Sequence, residues 1–388
     1  MARRRSRGSF DPATDMIPSS LEEKLRSGGH KDNGFDTIRL IAAALVLVSH
    51  SFPIGIGSNE AEPLNMITRG QTTLGGLSVA VFFFISGLLI SNSFDASSSL
   101  RAFALKRVLR IMPALVAVCL VLAFIVGPAC TELPLVPYFE HAWRFMENAV
   151  FLPTDYALPG VFSSHPIVAA NGSLWSLKFE VACYIAAALL LAARRRRLVI
   201  PLVLWLSSFV VARSFSGGHG QSGADFYLGT LAGLYRFFGA GVVFYLLRER
   251  LLLNARVAWV ALLVTLLSAA TPFFMEAAAT CGAYALLVFA YRCPTWFRRL
   301  TARGDISYGT YVYAFPTQQI AYSVVGPHPW LITAVALPIT LALATISWIL
   351  VERPALKMKR LPLSSAAQSK RQPAREIPED GKQGVPSW

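Results

Sequence analysis

The stretch Asp36-Thr-Ile-Arg39-Leu-Ile-Ala-Ala-Ala-Leu-Val-Leu-Val-Ser-His50 places an arginine and a histidine eleven residues apart in one apolar run. At about 100° per residue, eleven steps return to within roughly 20° of the start, so Arg39 and His50 share a helix face. They are about 16 Å apart along the axis, roughly half the hydrocarbon core of a bilayer. Asp36, one turn before Arg39, extends the stripe. Ionisable groups inside a span cost about 3 kcal/mol or more and turn toward a bundle interior or a wet cavity. An acid, a base and an imidazole aligned on one span therefore read as a functional site.

The rest of the chain supplies the membrane. Of its 388 residues 54% are hydrophobic and 15% charged, and the mean hydropathy is +0.49. The apolar windows fall near 36–56, 74–94, 110–130, 173–193, 198–215, 226–247, 254–270, 272–291, 306–325 and 329–351. Each is close to the ~20 residues a bilayer requires. The fold class is thus an all-α polytopic membrane protein of about ten transmembrane helices. The net charge of +14 invites a nucleic-acid reading, but its distribution argues topology instead. Thirty of the 36 Lys and Arg residues fall in the tails and alternate loops, including Arg194 to Arg197, against Arg69, Arg144 and Arg213 on the opposite side. By the positive-inside rule both termini are cytoplasmic, and no nucleic-acid partner is expected.

Segments 1–34 and 357–388 read as disordered cytoplasmic tails flanking one transmembrane domain, 35–356, with Ser20-Leu-Glu-Glu23 able to cap a short helix. No cleavable leader is expected, so the first span is retained. The five cysteines lie in or at the ends of spans without metal-like pairing, and neither a metal nor a bound cofactor is expected. The long loop 131–172 has apolar residues at helical spacing from Tyr138 to Phe151, a pattern that suits a segment lying flat on the membrane. It reads equally as a binding mouth or as a simple linker.

Several stretches, taken in order, resemble the membrane-bound acyltransferase 3 family. Phe35-Asp36-x-x-Arg39 with His50 resembles its Arg-x10-His signature. Gly76-Leu-Ser-Val-Ala-Val-Phe-Phe-Phe-Ile-Ser86-Gly87 resembles its second span, and Arg107-x-x-Arg110-Ile-Met-Pro113 its Arg-x-x-Arg motif. Ser173-Leu-Trp175-Ser176-Leu-x-x-Glu180, Ile306-Ser307-Tyr308-Gly309-x-Tyr311 and Glu352-Arg353-Pro354 resemble its later motifs. Many relatives carry a histidine where Ala314 stands, so no role is carried onto that position. The resemblance implies transfer of an acyl group, acetyl being the expected one, from acyl-CoA to a carbohydrate hydroxyl. The branch it resembles acylates exopolysaccharide, lipopolysaccharide or Nod-factor sugars. A multi-pass location in the bacterial inner membrane, among membrane lipids, follows from the same resemblance.

On that reading His50 is the general base, since imidazole titrates near neutrality. Glu180, on a polar stripe with Ser173 and Ser176, orients the imidazole; its alternative is an ion pair with Arg236 or Lys178. Arg39, Arg107 and Arg110 offer guanidinium forks to the CoA phosphates, with Asp36 holding Arg39 at i,i+3. Arg236, Ser307, Tyr308 and Tyr311 are further candidate substrate contacts, and Glu352-Arg353-Pro354 reads as a helix stop. Because Arg39 sits at the inner mouth and His50 beyond the midplane, the acyl group is expected to cross the membrane during transfer. The alternative has both substrates meeting in a deep inward cavity. A rival class also fits ten charged spans: a transporter or flippase of lipid-linked sugars with Asp36, Arg39, His50 and Glu180 as a proton relay.

Overall fold

The structure is a computed structural model that describes residues 19–27, 33–150, 156–192, 198–215 and 223–358. Most of both expected tails and the Arg194–Arg197 run lie outside those residues. The helices, in chain order, are α1 (Leu21–Ser27), α2 (Phe35–Ile56), α3 (Pro63–Ile67), α4 (Leu74–Asp95) and α5 (Leu100–Cys130). They continue with α6 (Leu135–Ala142), α7 (Gly172–Ala192), α8 (Val199–Ser214), α9 (Gly223–Leu246) and α10 (Ala255–Ala270). The last four are α11 (Phe274–Arg292), α12 (Thr295–Arg299), α13 (Ser307–Val325) and α14 (Pro329–Lys357).

A helix occupies each of the ten apolar windows, and among the described residues seven helices are long and apolar enough to cross a membrane: α2, α4, α5, α7, α9, α11 and α14. Helices α8 and α10 are apolar but shorter. Helix α13 has the length, yet it carries Thr310, Thr317, Gln318 and Gln319, and all four are buried. It packs chiefly on α2 and α14, so its polar side chains meet protein partners instead of lipid.

Two elements depart from expectation. The third span begins at Leu100, ten residues early, because Ser99 Oγ accepts from the Ala102 amide and caps the helix there. Arg107 and Arg110 therefore lie two to three turns inside α5 instead of at its end. The expected tail 1–34 also contains a docked piece. Ser20 and Glu23 form the reciprocal capping box that starts α1, and Ser19–Ser20 pairs antiparallel with Leu252–Leu253. Glu22 meets Arg248 at 2.6 Å, and Leu21 is fully buried.

The expected flat segment after Tyr138 is likewise drawn inward. Tyr138, Ala142, Phe145 and Ala149 turn into the protein, and the Tyr138 hydroxyl donates to the Ala123 carbonyl at 2.7 Å. Val136, Phe139 and Trp143 remain exposed on the other face.

The tightest helix crossing is α4 on α9. A Cβ on Gly87 would overlap the Phe238 carbonyl, and one on Gly241 would overlap the Phe84 carbonyl, so each glycine admits the other backbone. Gly223, by contrast, faces open space. Overpacking costs about 1–3 kcal/mol. Gly87→Ala should accordingly lower the melting temperature of the detergent-solubilised protein by several degrees, while Gly223→Ala should leave it within about a degree of wild type. Equal melting of the two variants would contradict this crossing.

Candidate active site

Three elements separated in sequence converge on one carboxylate. Asp305, two residues before α13, accepts from Arg39 Nη1 of α2 at 2.9 Å and from Arg110 Nη2 of α5. Its other oxygen accepts from the Ser307 amide at 3.0 Å and the Ser307 hydroxyl at 2.5 Å. Burial alone would raise the Asp305 carboxyl, but the Arg39 and Arg110 charges and the Ser307 hydrogen bonds outweigh it. The carboxyl is held well below the usual carboxylate range, and the cluster stays ionised through the window in which ordinary carboxylates titrate.

Asp36 is thus the more distant of the two carboxylates that pair with Arg39. It lies 3.9 Å away with its side chain 47% exposed, whereas Asp305 is buried against the guanidinium. The i,i+3 geometry was legible from sequence, but a partner 266 residues away was not. An acid just ahead of a helix start, as Asp305 stands ahead of Ser307, is the local signal that pointed to it.

Arg39 and Arg110 line a cavity of about 50 Å³ together with Glu180, Ser176, Tyr308 and Tyr311. That volume suits ordered water. Glu180 accepts from Ser86 Oγ at 3.1 Å and from the Tyr184 hydroxyl. Tyr184 lies one turn after Glu180, an i,i+4 relation the sequence carried unread. Ser176 Oγ and the Tyr311 hydroxyl are 2.8 Å apart, and Tyr311 also donates to the Ser173 carbonyl at 2.8 Å. Tyr308 donates to the Ile111 carbonyl at 3.0 Å. Ser176 and Glu180 of the stripe therefore face this slot, as do Tyr308 and Tyr311, while Ser173 touches Tyr311 through its carbonyl.

His50 sits farther along α2, edge-on to Phe315 at 5.4 Å between ring centroids. Its Nδ1 is buried without a hydrogen-bond partner, and no hydrogen bond joins it to Glu180. The hydrogen bond expected from Glu180 toward the imidazole is not made: Glu180 is bound by Ser86 and Tyr184. Ser173 Oγ and Gln318 Oε1 are also buried without partners. Gln318 Nε2 donates to the Leu47 carbonyl and to Ser51 Oγ, each at 2.6 Å, so it brackets His50 on the same helix.

Two other candidates fall outside the slot. Arg236 is buried, 3.5 Å from Glu276, which also pairs with Arg213 at 3.6 Å. It pairs with neither Glu180 nor a slot residue, and belongs instead to an ion cluster shared by α8, α9 and α11. Lys178 donates to the Tyr227 hydroxyl at 3.2 Å. Arg107 points away from Arg110 and bonds Ser93 Oγ at 3.2 Å. Glu352, read as part of a helix stop, is buried with Oε1 accepting from Ser347 beside Gly309 and Oε2 unpartnered.

Comparison with known proteins bears on what this arrangement does. The acyltransferase domain pattern of the acyltransferase 3 family matches residues 32–349. The chain belongs to the acyltransferase 3 family. An O-acetyl transferase of Shigella phage Sf6 is 33% identical over 334 residues, covering 84% of this chain and 96% of that protein. Nodulation protein 10 of Rhizobium leguminosarum bv. viciae is 30% identical over 363 residues, covering 86% and 95% respectively. No solved structure matches. A family of acyltransferases does not favour the transporter reading of the intramembrane charges.

Removing one member of a buried charge cluster costs about 3–5 kcal/mol, because the remaining charges are left uncompensated. Asp305→Asn should therefore strip stability and acyl transfer together, and Asp36→Asn should change either by less than twofold. Thermal melting and acyl transfer in isolated membranes measure both; a larger defect for Asp36→Asn would reverse the assignment.

Proposed function

We propose that this acyltransferase moves an acyl group, acetyl in the simplest case, from acyl-CoA to a hydroxyl of a cell-envelope or exported carbohydrate. The observation that carries the reading is the pairing of a phosphate-suited arginine fork at one level with a half-buried imidazole, its Nδ1 without a partner, about 16 Å along the same helix. Arg39 and Arg110 each commit one terminal nitrogen to Asp305, leaving the rest of their planar forks for donor phosphates. The positive-inside distribution puts that level at the cytoplasm, with ten crossings and both termini inside. The slot past Glu180, Ser176 and Tyr311 then marks the path of the pantetheine arm, which must widen it between Phe82 and Tyr311, edge to face at 5.9 Å.

A sugar hydroxyl is too weak an acid to attack a thioester at neutral pH with its proton in place. His50 accepts that proton as the hydroxyl oxygen attacks the carbonyl carbon. The carbon–sulfur bond then breaks, and the imidazolium returns the proton to the departing CoA sulfur. The ester remains on the sugar. No Gly-x-Ser-x-Gly setting is present in the sequence, which favours this direct transfer over an acyl-serine intermediate. Tyr311, held by the Ser173 carbonyl and Ser176, is placed between the two levels to shape the slot.

The test uses sealed right-side-out vesicles loaded with labelled acyl-CoA and given an impermeant carbohydrate acceptor outside. The external acceptor should be acylated, and His50→Ala should cut the rate by 10²–10⁴-fold at equal protein level. Acylation only with donor and acceptor sealed on the same side would reject transfer across the membrane. A loss of only a few-fold in His50→Ala would reject the base.

A further inference from the structure

The two arginines of the Arg-x-x-Arg motif serve different spaces. Arg110 faces the polar slot, whereas Arg107 lines a separate cleft of about 370 Å³ between α5 and α7. The two helices are not among the pairs that pack closely; α4 contacts both, and the gap between them is the cleft. Its walls are apolar, with Phe103, Ile111, Val181 and Ala188 inside and Val108 and Ile185 exposed at its rims. From Leu100 to Met112 it runs about 18 Å along α5, close to the depth of one leaflet of a ~30 Å core. Inside a membrane such an opening takes a lipid chain.

The charge in its wall says which kind. Arg107 is the cation in this apolar lining, and its Nε is buried without a partner while Nη2 bonds Ser93. At the Leu100 end a polar cup of about 340 Å³ adjoins the cleft, lined by Asp95, Ser97 and Ser99. Lys106 reaches Ser97 Oγ at 2.9 Å, adding a second cation there. An apolar channel one leaflet deep, a guanidinium N–H without a partner in its wall and a polar cup with two serine hydroxyls at one end form the negative of an amphiphile with a phosphate and a hydroxylated head.

We propose that the α5–α7 cleft is a binding site for an anionic glycerophospholipid of the leaflet on the Arg39 side. Its phosphate meets Arg107, its glycerol head enters the cup at Ser97 and Ser99, and one acyl chain lies along Phe103, Ile111 and Val181. The site touches the reaction slot, because Ile111 and Tyr184 line both spaces and Tyr184 bonds Glu180. A lipid seated there holds Tyr184, and through it Glu180, in place.

Photo-crosslinking of the full-length protein in lipid vesicles tests this by binding alone, independently of acyl transfer. The probe is phosphatidylglycerol with a diazirine in one chain. Adducts should concentrate on residues 103–112 and 181–189, and unlabelled phosphatidylglycerol should displace them at least several-fold better than phosphatidylcholine. Ala188→Trp, which fills the cleft, should abolish them, and Arg107→Gln should retain them while erasing the headgroup preference. Adducts spread evenly over other lipid-facing helices such as α10, or displaced equally by phosphatidylcholine, would overturn the proposal. So would displacement confined to long-chain acyl-CoA or to a polyprenyl-linked sugar phosphate, which would assign the cleft to a substrate.

Discussion

One buried carboxylate fixes the working parts of this protein relative to each other. Asp305 draws Arg39 of α2 and Arg110 of α5 to the start of α13, and the register of α13 follows from that anchor. Counting up the helix, Ser307 closes the ion cluster, Tyr308 reaches the Ile111 carbonyl and Tyr311 ties down Ser173 and Ser176. One turn farther Phe315 meets His50, and Gln318 then grips Leu47 and Ser51. At the far end Gln319 and Ser323 hold His165 of the long loop at 2.8 Å and 3.1 Å. A polar helix that could not survive in lipid thereby becomes the spine that meets both the arginine fork and the face of α2 that carries the imidazole.

This explains an apparent waste of charge. Two arginines suited to phosphate are each tied by one nitrogen to a carboxylate. A guanidinium left alone in a bundle would carry an uncompensated charge, and two of them close together would repel. Asp305 takes one nitrogen from each of the two, and Asp36 lies 3.9 Å from Arg39, which leaves an oriented set of N–H donors. That is the condition for binding an anion without separating the helices before it arrives. Glu180 occupies the next level with Ser86 and Tyr184, where it sets polarity along the slot instead of orienting His50.

What the sequence revealed divides along physical lines. Backbone satisfaction in a membrane has to be local, so apolar windows and helix positions could be read directly, and so could the Ser20–Glu23 capping box. The common face of Arg39 and His50 and the stripe of Ser173, Ser176 and Glu180 followed from helical period alone. Partners set by tertiary packing could not be read. Asp305 for Arg39, Glu276 for Arg236 and His165 for Gln319 are each brought together by bundle assembly. The start of α5 at Leu100 was missed because charged residues at 101, 106 and 107 broke the apolar run, although Ser99 marked a cap.

The proposed activity ends with an acyl group on a carbohydrate. The most direct measurement is mass spectrometry of envelope and exported polysaccharides from wild-type cells, a deletion strain, and that strain complemented with wild-type protein or with the His50→Ala variant. The account predicts that one carbohydrate species loses the mass of a single acyl group on deletion, that wild-type protein restores it and that the variant does not. Polysaccharides identical in acyl content across all four strains would contradict it.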